Sequence, residues 1–380
     1  MPSDSYSLPP KKHPVRRVLR TSFCIVWSLV AAEFFLRVFA QQPLMPRNVT
    51  ASDFGIRVNV PNTTYWQRTP EVNVRVHINS QGIRADEDIP LEKPPGVKRI
   101  VVLGDSYGMG YEVDLKYAFT TQMTNILNAA GENVQVVNLS VSGYGNAEEL
   151  LMLEHRGFAF HPDLVLLAWH QTDLDDNVRS GLYALRDGKL VRDQMTYLPG
   201  VHTRQMLDHI PGYEWIEANS QLYSFVREKT AGKVKDILLA LHGGGEAPAG
   251  SSASAPPATT QSAPTTKPAG APKYEDRLAA ALLKQIQDET EQHGAKLLIL
   301  DVPTWISRTH FLSNFPHAAA AELGSFDVVS PLPVFAQHRG DKLFWEHGHF
   351  HFTVEGCQLV GKLLAQHILD HKLLDTSTSR

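Results

Sequence analysis

Four short apolar runs punctuate the chain: "IVVLGDS" at 100–106, "VQVVNL" at 134–139, "LVLLAW" at 164–169 and "KLLILDV" at 296–302. Nearly continuous apolar runs of this length predict strands buried on both faces, and "DVV" at 327–329 adds a short fifth. Helical spacing fills the intervals. "FTTQMTNILNAAG" at 119–131 ends on a glycine suited to a helix C-cap. "NAEELLMLEHRGFAF" follows the second strand, and "YEDRLAAALLKQIQDETEQHG" at 274–294 carries Leu278, Leu282 and Ile286 along one face. "VEGCQLVGKLLAQHILD" at 354–370 is the last helix. Alternating strands and helices predict an α/β fold with a parallel, doubly wound sheet, whose ligand site lies at the carboxyl ends of its strands.

Two insertions interrupt the alternation. Residues 178–242 hold a predicted hairpin around Asp187-Gly188 and a helical stretch, "SQLYSFVREKTAGKVKDILLAL", read together as a cap over the site. Residues 243–273 are Gly, Ser, Ala, Pro and Thr with almost no charge or bulk, and are expected to be a disordered loop because they bury too little to offset ordering. The core is thus expected over 99–177 and 274–372, with a tail at 373–380 and a polar, mostly extended lead-in at 41–98.

The first forty residues differ. Lys11, Lys12, Arg16, Arg17 and Arg20 lie in a basic segment, 1–21, expected to stay in the cytoplasm, ahead of the apolar run 22–40. That run is just long enough to span a bilayer and is interrupted by Glu33 and Arg37, spaced to pair on one helix face. It reads as a membrane anchor holding an extracytoplasmic domain. "VFA" before Gln41 leaves open a cleaved signal and a secreted product.

Composition narrows the function. With 380 residues, 43% apolar and a net charge near −4, the chain has a globular core and no broad basic field, so nucleic acid is a poor partner. Cys24 lies in the apolar N-terminal run and Cys357 in the last helix, which argues against a structural disulfide and excludes a cysteine-based zinc site.

Four polar motifs sit at predicted strand ends or helix starts. Ser106 in "GDSYGMGYEV" follows a strand directly, where a nucleophile is exposed and following N–H groups face a developing oxyanion, although a serine there also serves as a helix N-cap. Gly143 in "NLSVSGYG" lets the backbone approach a substrate. "PDLVLLAWHQTDLDDN" runs from a strand into polar residues, and His351 in "HFTVEG" opens the last helix. In this order, over roughly 75–372, the four blocks resemble the SGNH (GDSL-type) esterase and acyl-hydrolase superfamily, and "INSQGIR" ahead of "RIVVLGDS" resembles its membrane-anchored, exported members.

The resemblance implies a flavodoxin-like three-layer sandwich around a central parallel sheet. It also implies a Ser106 nucleophile, a His351 base, and an oxyanion hole from the N–H groups of Ser106 and Gly143, with Asp105 and Asp173 supporting. No cofactor is implied. The sequence departs from the family in two places. Thr172 stands where the family has an asparagine donor, and loss of one such donor costs on the order of a hundredfold; Gln171 is an alternative donor. His349 stands where the family has the aspartate of Asp-x-His, and neutralising that aspartate costs roughly ten thousandfold in the serine-protease template. Glu346 is the expected substitute carboxylate, with Asp341 another.

The alternation His347, His349, His351 also permits a metal reading, since alternate residues share a face on a strand, but the predicted helix start at Thr353 leaves little room for one. Three functions therefore stand: hydrolysis of an acyl ester or acylated glycan, transfer of the acyl group to a carbohydrate hydroxyl from the same acyl-enzyme, and a degenerate member that binds a glycan or partner without catalysis.

Overall fold

The computed structural model describes residues 14–46, 48–242 and 272–375. Lys11 and Lys12, nearly all of the loop expected at 243–273, and the last five residues of the tail lie outside the described residues. The described residues open with one long helix, α1 (Pro14–Phe39). Two antiparallel ribbons follow, β1 (Val49–Ala51) with β2 (Arg57–Asn59) and β3 (Thr63–Arg68) with β4 (Asn73–Ile78). Next come β5 (Lys98–Gly104), α2 (Ser106–Met109), α3 (Phe119–Ala129), β6 (Val134–Asn138), α4 (Asn146–Met152), β7 (Leu164–Trp169) and α5 (Thr172–Ser180). The insertion contributes the hairpin β8 (Tyr183–Arg186) and β9 (Lys189–Arg192), then α6 (Val201–Leu207), α7 (Tyr213–Asn219) and α8 (Gln221–His242). The core resumes with α9 (Tyr274–Gln292) and β10 (Lys296–Asp301). It closes with the hairpin β11 (Thr304–Ser307) and β12 (His310–Leu312), then α10 (His317–Ala321), β13 (Val328–Val329), α11 (Leu332–Gln337) and α12 (Val354–Asp370).

The central sheet has five strands, all parallel, in the order β13-β10-β7-β5-β6. Numbered along the chain, that is the doubly wound order 2-1-3-4-5 read from the β6 edge. Strand alternation splits its side chains into two cores. Val101, Leu103, Val165, Leu167 and Ile299 pack with α4 and α9, where Leu278, Leu282 and Ile286 are all buried. Ile100, Val102, Leu164, Leu166, Leu298 and Leu300 pack on the other side with Phe119 and Met123 of α3 and with Val360 and Leu364 of α12. Both faces are covered, so the strands carry continuous apolar runs and the sandwich has three layers.

The lead-in, expected to be polar and mostly extended, forms the two ribbons and buries one face of the second. In "NVRVHI" Val74, Val76 and Ile78 point inward while Arg75 and His77 alternate outward. With Tyr65 and Met45 they form a third core that includes Met109 and Tyr111, so the lead-in packs directly on the loop after Ser106. The hairpin at Asp187-Gly188 forms as expected, with both residues at positive φ (52° and 73°). The helix expected over 146–160 ends at Met152 and continues as a wide turn over Leu153–Gly157 and a tight one over Phe158–Phe160. Among the described residues one helix, Val15–Phe39, is long and apolar enough to cross a membrane.

Candidate active site

The site forms at the carboxyl end of β5. Asp105 caps the single turn of α2, its Oδ1 accepting the Tyr107 N–H at 2.7 Å, so Ser106 begins the turn with its side chain free to leave it. Ser106 Oγ lies 2.8 Å from His351 Nε2. His351 comes from the segment just before α12, and the Thr353 hydroxyl caps that helix by accepting the Gly356 N–H. The other imidazole nitrogen, Nδ1, lies 2.8 Å from Glu112 Oε2, and both side chains are buried.

Glu112 therefore takes the place for which His349 was the occupant and Glu346 and Asp341 the substitutes in the sequence reading. His349 turns away: its Nδ1 lies 3.0 Å from Met45 Sδ and its Nε2 4.0 Å from a Glu228 carboxylate oxygen. Glu346 is bound instead by Arg308 on the β11–β12 hairpin, with one contact at 3.2 Å, and Asp341 pairs with His338 at 2.9 Å. His347 points outward and gives its backbone N–H to Glu71 at 2.6 Å. The three alternate histidines thus have three different environments and do not converge on one point.

The socket around Glu112 is built from distant parts of the chain. Its backbone sits at φ +64°, a region costly for a side-chain-bearing residue, and its N–H donates to Gln67 Oε1 of β3 at 2.9 Å. The buried Arg84 guanidinium gathers the carbonyls of Met109 (3.0 Å), Gly110 and Val113 (2.6 Å), which fixes the turn on either side of Glu112. Gly348 passes so close that a Cβ there would lie 1.8 Å from Glu112 Oε1. Burial raises the Glu112 carboxyl, but the hydrogen bond and charge of His351 outweigh it and leave the group below its ordinary range. It is held as an anion against the imidazole.

The residues expected to form an oxyanion hole have other partners. Gly143 adopts φ +76°, which needs no strain in a glycine, and its carbonyl is bound by Arg57 of β2. Thr172 Oγ1 lies 2.9 Å from His170 Nδ1, and the Thr172 N–H also reaches that nitrogen at 3.4 Å. Burial and the His351 charge push His170 down to about 3, so its ring is neutral. A neutral ring that accepts at Nδ1 carries its proton on Nε2, and the Thr172 hydroxyl hydrogen is engaged there rather than free for substrate. Gln171 is likewise turned outward, its Oε1 accepting from Asn314.

Behind these residues lies a buried polar floor. Asp173 accepts from the His170 N–H (3.1 Å) and from Asn146 Nδ2 (3.2 Å), and Asn146 also donates to Glu149 (2.9 Å). Burial is the largest cause of raised values throughout: Asp105 reaches about 6, Glu148 about 7 and Glu149 about 8, with Asp173 also well up. Aromatic walls complete the site. Tyr107 presents its ring to His170 and His351 at centroid distances of 4.6 and 5.0 Å, and its hydroxyl donates to the Phe350 carbonyl at 2.8 Å. Phe350 stacks on Trp305 at 4.7 Å.

Glu112, His170 and Arg84 are not singled out by any motif in the sequence. Glu112 carried a usable signal: it is a lone carboxylate in "SYGMGYEV", among residues otherwise small or apolar.

No protein-family model matches the chain, and no curated protein matches it. Solved structures do. The acetyl xylan esterase AlAXEase is 10% identical at a TM-score of 0.37, covering 71% of this chain and 99% of its own. A G-D-S-L family lipolytic protein from Desulfitobacterium hafniense is 10% identical at 0.36, covering 71% and 98%. The lipase/acylhydrolase from Enterococcus faecalis is 14% identical at 0.34, covering 74% and 100%. At such distances the functional reading rests on this chain's own residues.

Proposed function

We propose that this chain is an SGNH-type serine hydrolase of acyl esters whose charge relay is Ser106–His351–Glu112. The single observation behind this reading is the unbroken run of contacts, 2.8 Å from Ser106 Oγ to His351 Nε2 and 2.8 Å from His351 Nδ1 to Glu112. The Ser106 hydroxyl hydrogen passes to Nε2 as Oγ attacks the ester carbonyl. Glu112 holds the imidazole in the tautomer that leaves Nε2 free to accept, and stabilises the imidazolium that forms. The N–H groups of Ser106 and Gly143 receive the oxyanion, and His351 returns the proton to the departing alkoxide. Water then repeats the sequence on the acyl-enzyme and releases the acid.

The non-catalytic alternative drew its support from the missing aspartate and the altered oxyanion position. Glu112 removes the first of these grounds. α1, with Arg16, Arg17 and Arg20 at its start, is read as an anchor that keeps its basic end in the cytoplasm and the hydrolase domain outside it.

A fluorophosphonate probe applied to the folded, full-length protein tests the reading. Labelling at Ser106, with loss of both labelling and p-nitrophenyl acetate turnover in Ser106→Ala, is expected. Turnover that survives Ser106→Ala would overturn it.

A further inference from the structure

Two charges interrupt the apolar face of α1, and both are used. The Glu33 carboxylate accepts from Ser220 Oγ (2.9 Å) and from the N–H groups of Gln221 (3.0 Å) and Leu222 (2.8 Å), the free amino end of α8. Arg37 pairs with Glu33 at 2.7 Å and donates to the Asn219 carbonyl, where α7 ends, at 2.7 Å. The cap insertion is thereby bolted to the last two turns of α1. With the apolar run 22–40 as the span and a rise of about 1.5 Å per residue, Glu33 and Arg37 lie within roughly 10 Å of its outer end, so these turns lie toward the outer lipid–water boundary when the helix spans.

The surface beside that joint is unlike a solvated one. α7 buries Tyr213 and Glu217 and turns Trp215 (68% exposed) and Ile216 (40%) outward. On the preceding turn Met206 (75%) and Ile210 (52%) are exposed as well. Asp208, His209 and Glu214 are exposed among them, a mixture that suits the interface rather than the hydrocarbon core. An exposed tryptophan next to a spanning helix is placed as in an aromatic belt.

We infer that the α6–α7 segment is a shallow membrane-contact surface, on which Trp215, Ile216, Ile210 and Met206 enter the phospholipid boundary beside α1. The inference rests on the reading of α1 as an anchor and adds to it a second, non-spanning contact. Its consequence reaches the site. α8 runs from the joint to Glu228, 4.0 Å from His349, and Met45, six residues past the end of α1, touches His349 at 3.0 Å. Six residues reach at most roughly 20 Å, so the site's rim is held close to the bilayer surface.

Spin labels on the full-length protein in phospholipid nanodiscs test this, in a Cys24→Ser background with Cys357 buried. Labels at Trp215→Cys and, separately, Met206→Cys are compared with Val26→Cys in α1 and Leu91→Cys. Leu91 is exposed, and its carbonyl meets Arg99 at the opposite, amino end of the sheet. Oxygen accessibility with shielding from a water-soluble nickel chelate is expected at 215, 206 and 26, and the reverse at 91. Nickel access at 215 and 206 with shielding at 26 would overturn the contact surface while leaving the anchor intact. Shielding of 215 and 206 from both reagents would replace lipid by a protein partner and also overturn it. Nickel access at 26 would remove the anchor and this inference together.

Discussion

Glu112 Oε2 and His351 Nδ1 sit 2.8 Å apart across 239 positions of sequence, so the carboxylate proposed for the relay is carried on the segment of Ser106 and not on that of the histidine. Neutralising it isolates its charge. Glu112→Gln should lower kcat/KM for p-nitrophenyl acetate by up to roughly ten thousandfold, the loss seen when the serine-protease aspartate is neutralised. Glu112→Asp should fall between that variant and the parent. His349→Ala and Glu346→Ala should stay within severalfold of the parent; a loss at His349 as deep as at Glu112 would return the third role to position 349.

Gly348 is a packing test of the same contact. A methyl group there would lie 1.8 Å from Glu112 Oε1, so the carboxylate or the histidine loop must shift. Gly348→Ala should lower kcat by about a hundredfold, the scale of a 1 Å misplacement, while far-UV circular dichroism stays native. An active Gly348→Ala enzyme would show that Glu112 does not need this seat.

Arg84 acts one step further out, through the backbone. Replacing it by methionine leaves the Met109, Gly110 and Val113 carbonyls without their donor, at about 1–3 kcal/mol for each group left unpaired. Arg84→Met should therefore lower both the melting temperature and, well below that temperature, kcat. Arg84→Lys should recover part of each. A variant that melts early yet turns over normally when folded would limit Arg84 to stability.

The buried floor predicts the sign of a pH effect. Glu148 and Glu149 have folded-state values raised to about 7 and 8, above the ordinary carboxyl value, so the folded protein holds more protons than the unfolded chain in between. Their favourable contribution is full below the unfolded value and is lost as pH rises through about 7 to 8. Thermal denaturation should give a melting temperature that falls from pH 5 to pH 8. Glu149→Gln, which cannot ionise, should flatten that slope; an unchanged slope would mean that Glu149 ionises freely in the folded state.

How much of this was legible depended on the range of the interaction. The central strands announced themselves because burial on both faces leaves no polar alternation in "IVVL" or "LVLLAW". Ser106 and His351 were each placed by a local rule, strand end and helix start, and the fold does bring them together. The carboxylate was not, because an ion pair with an imidazole fixes a position in space and not in sequence. Nor was the lead-in's part, since Gln67 and Arg84 act across 45 and up to 29 residues. At Thr172 the residue was identified, but the direction of its hydroxyl depends on the protonation of His170, which burial decides.

The seven residues from Ser106 to Glu112 carry the serine hydroxyl and the Glu112 carboxylate on one short segment, clamped at its far end by Arg84. His351 arrives separately, on the chain that leads into α12. The site is then a joint of two pieces, whose meeting point is the seat of the imidazole between Ser106 Oγ and the Glu112 carboxylate. A displacement of the C-terminal segment would unseat the imidazole from both partners at once, and the Arg308–Glu346 pair and the Tyr107 hydroxyl on Phe350 tie that segment to the rest of the domain.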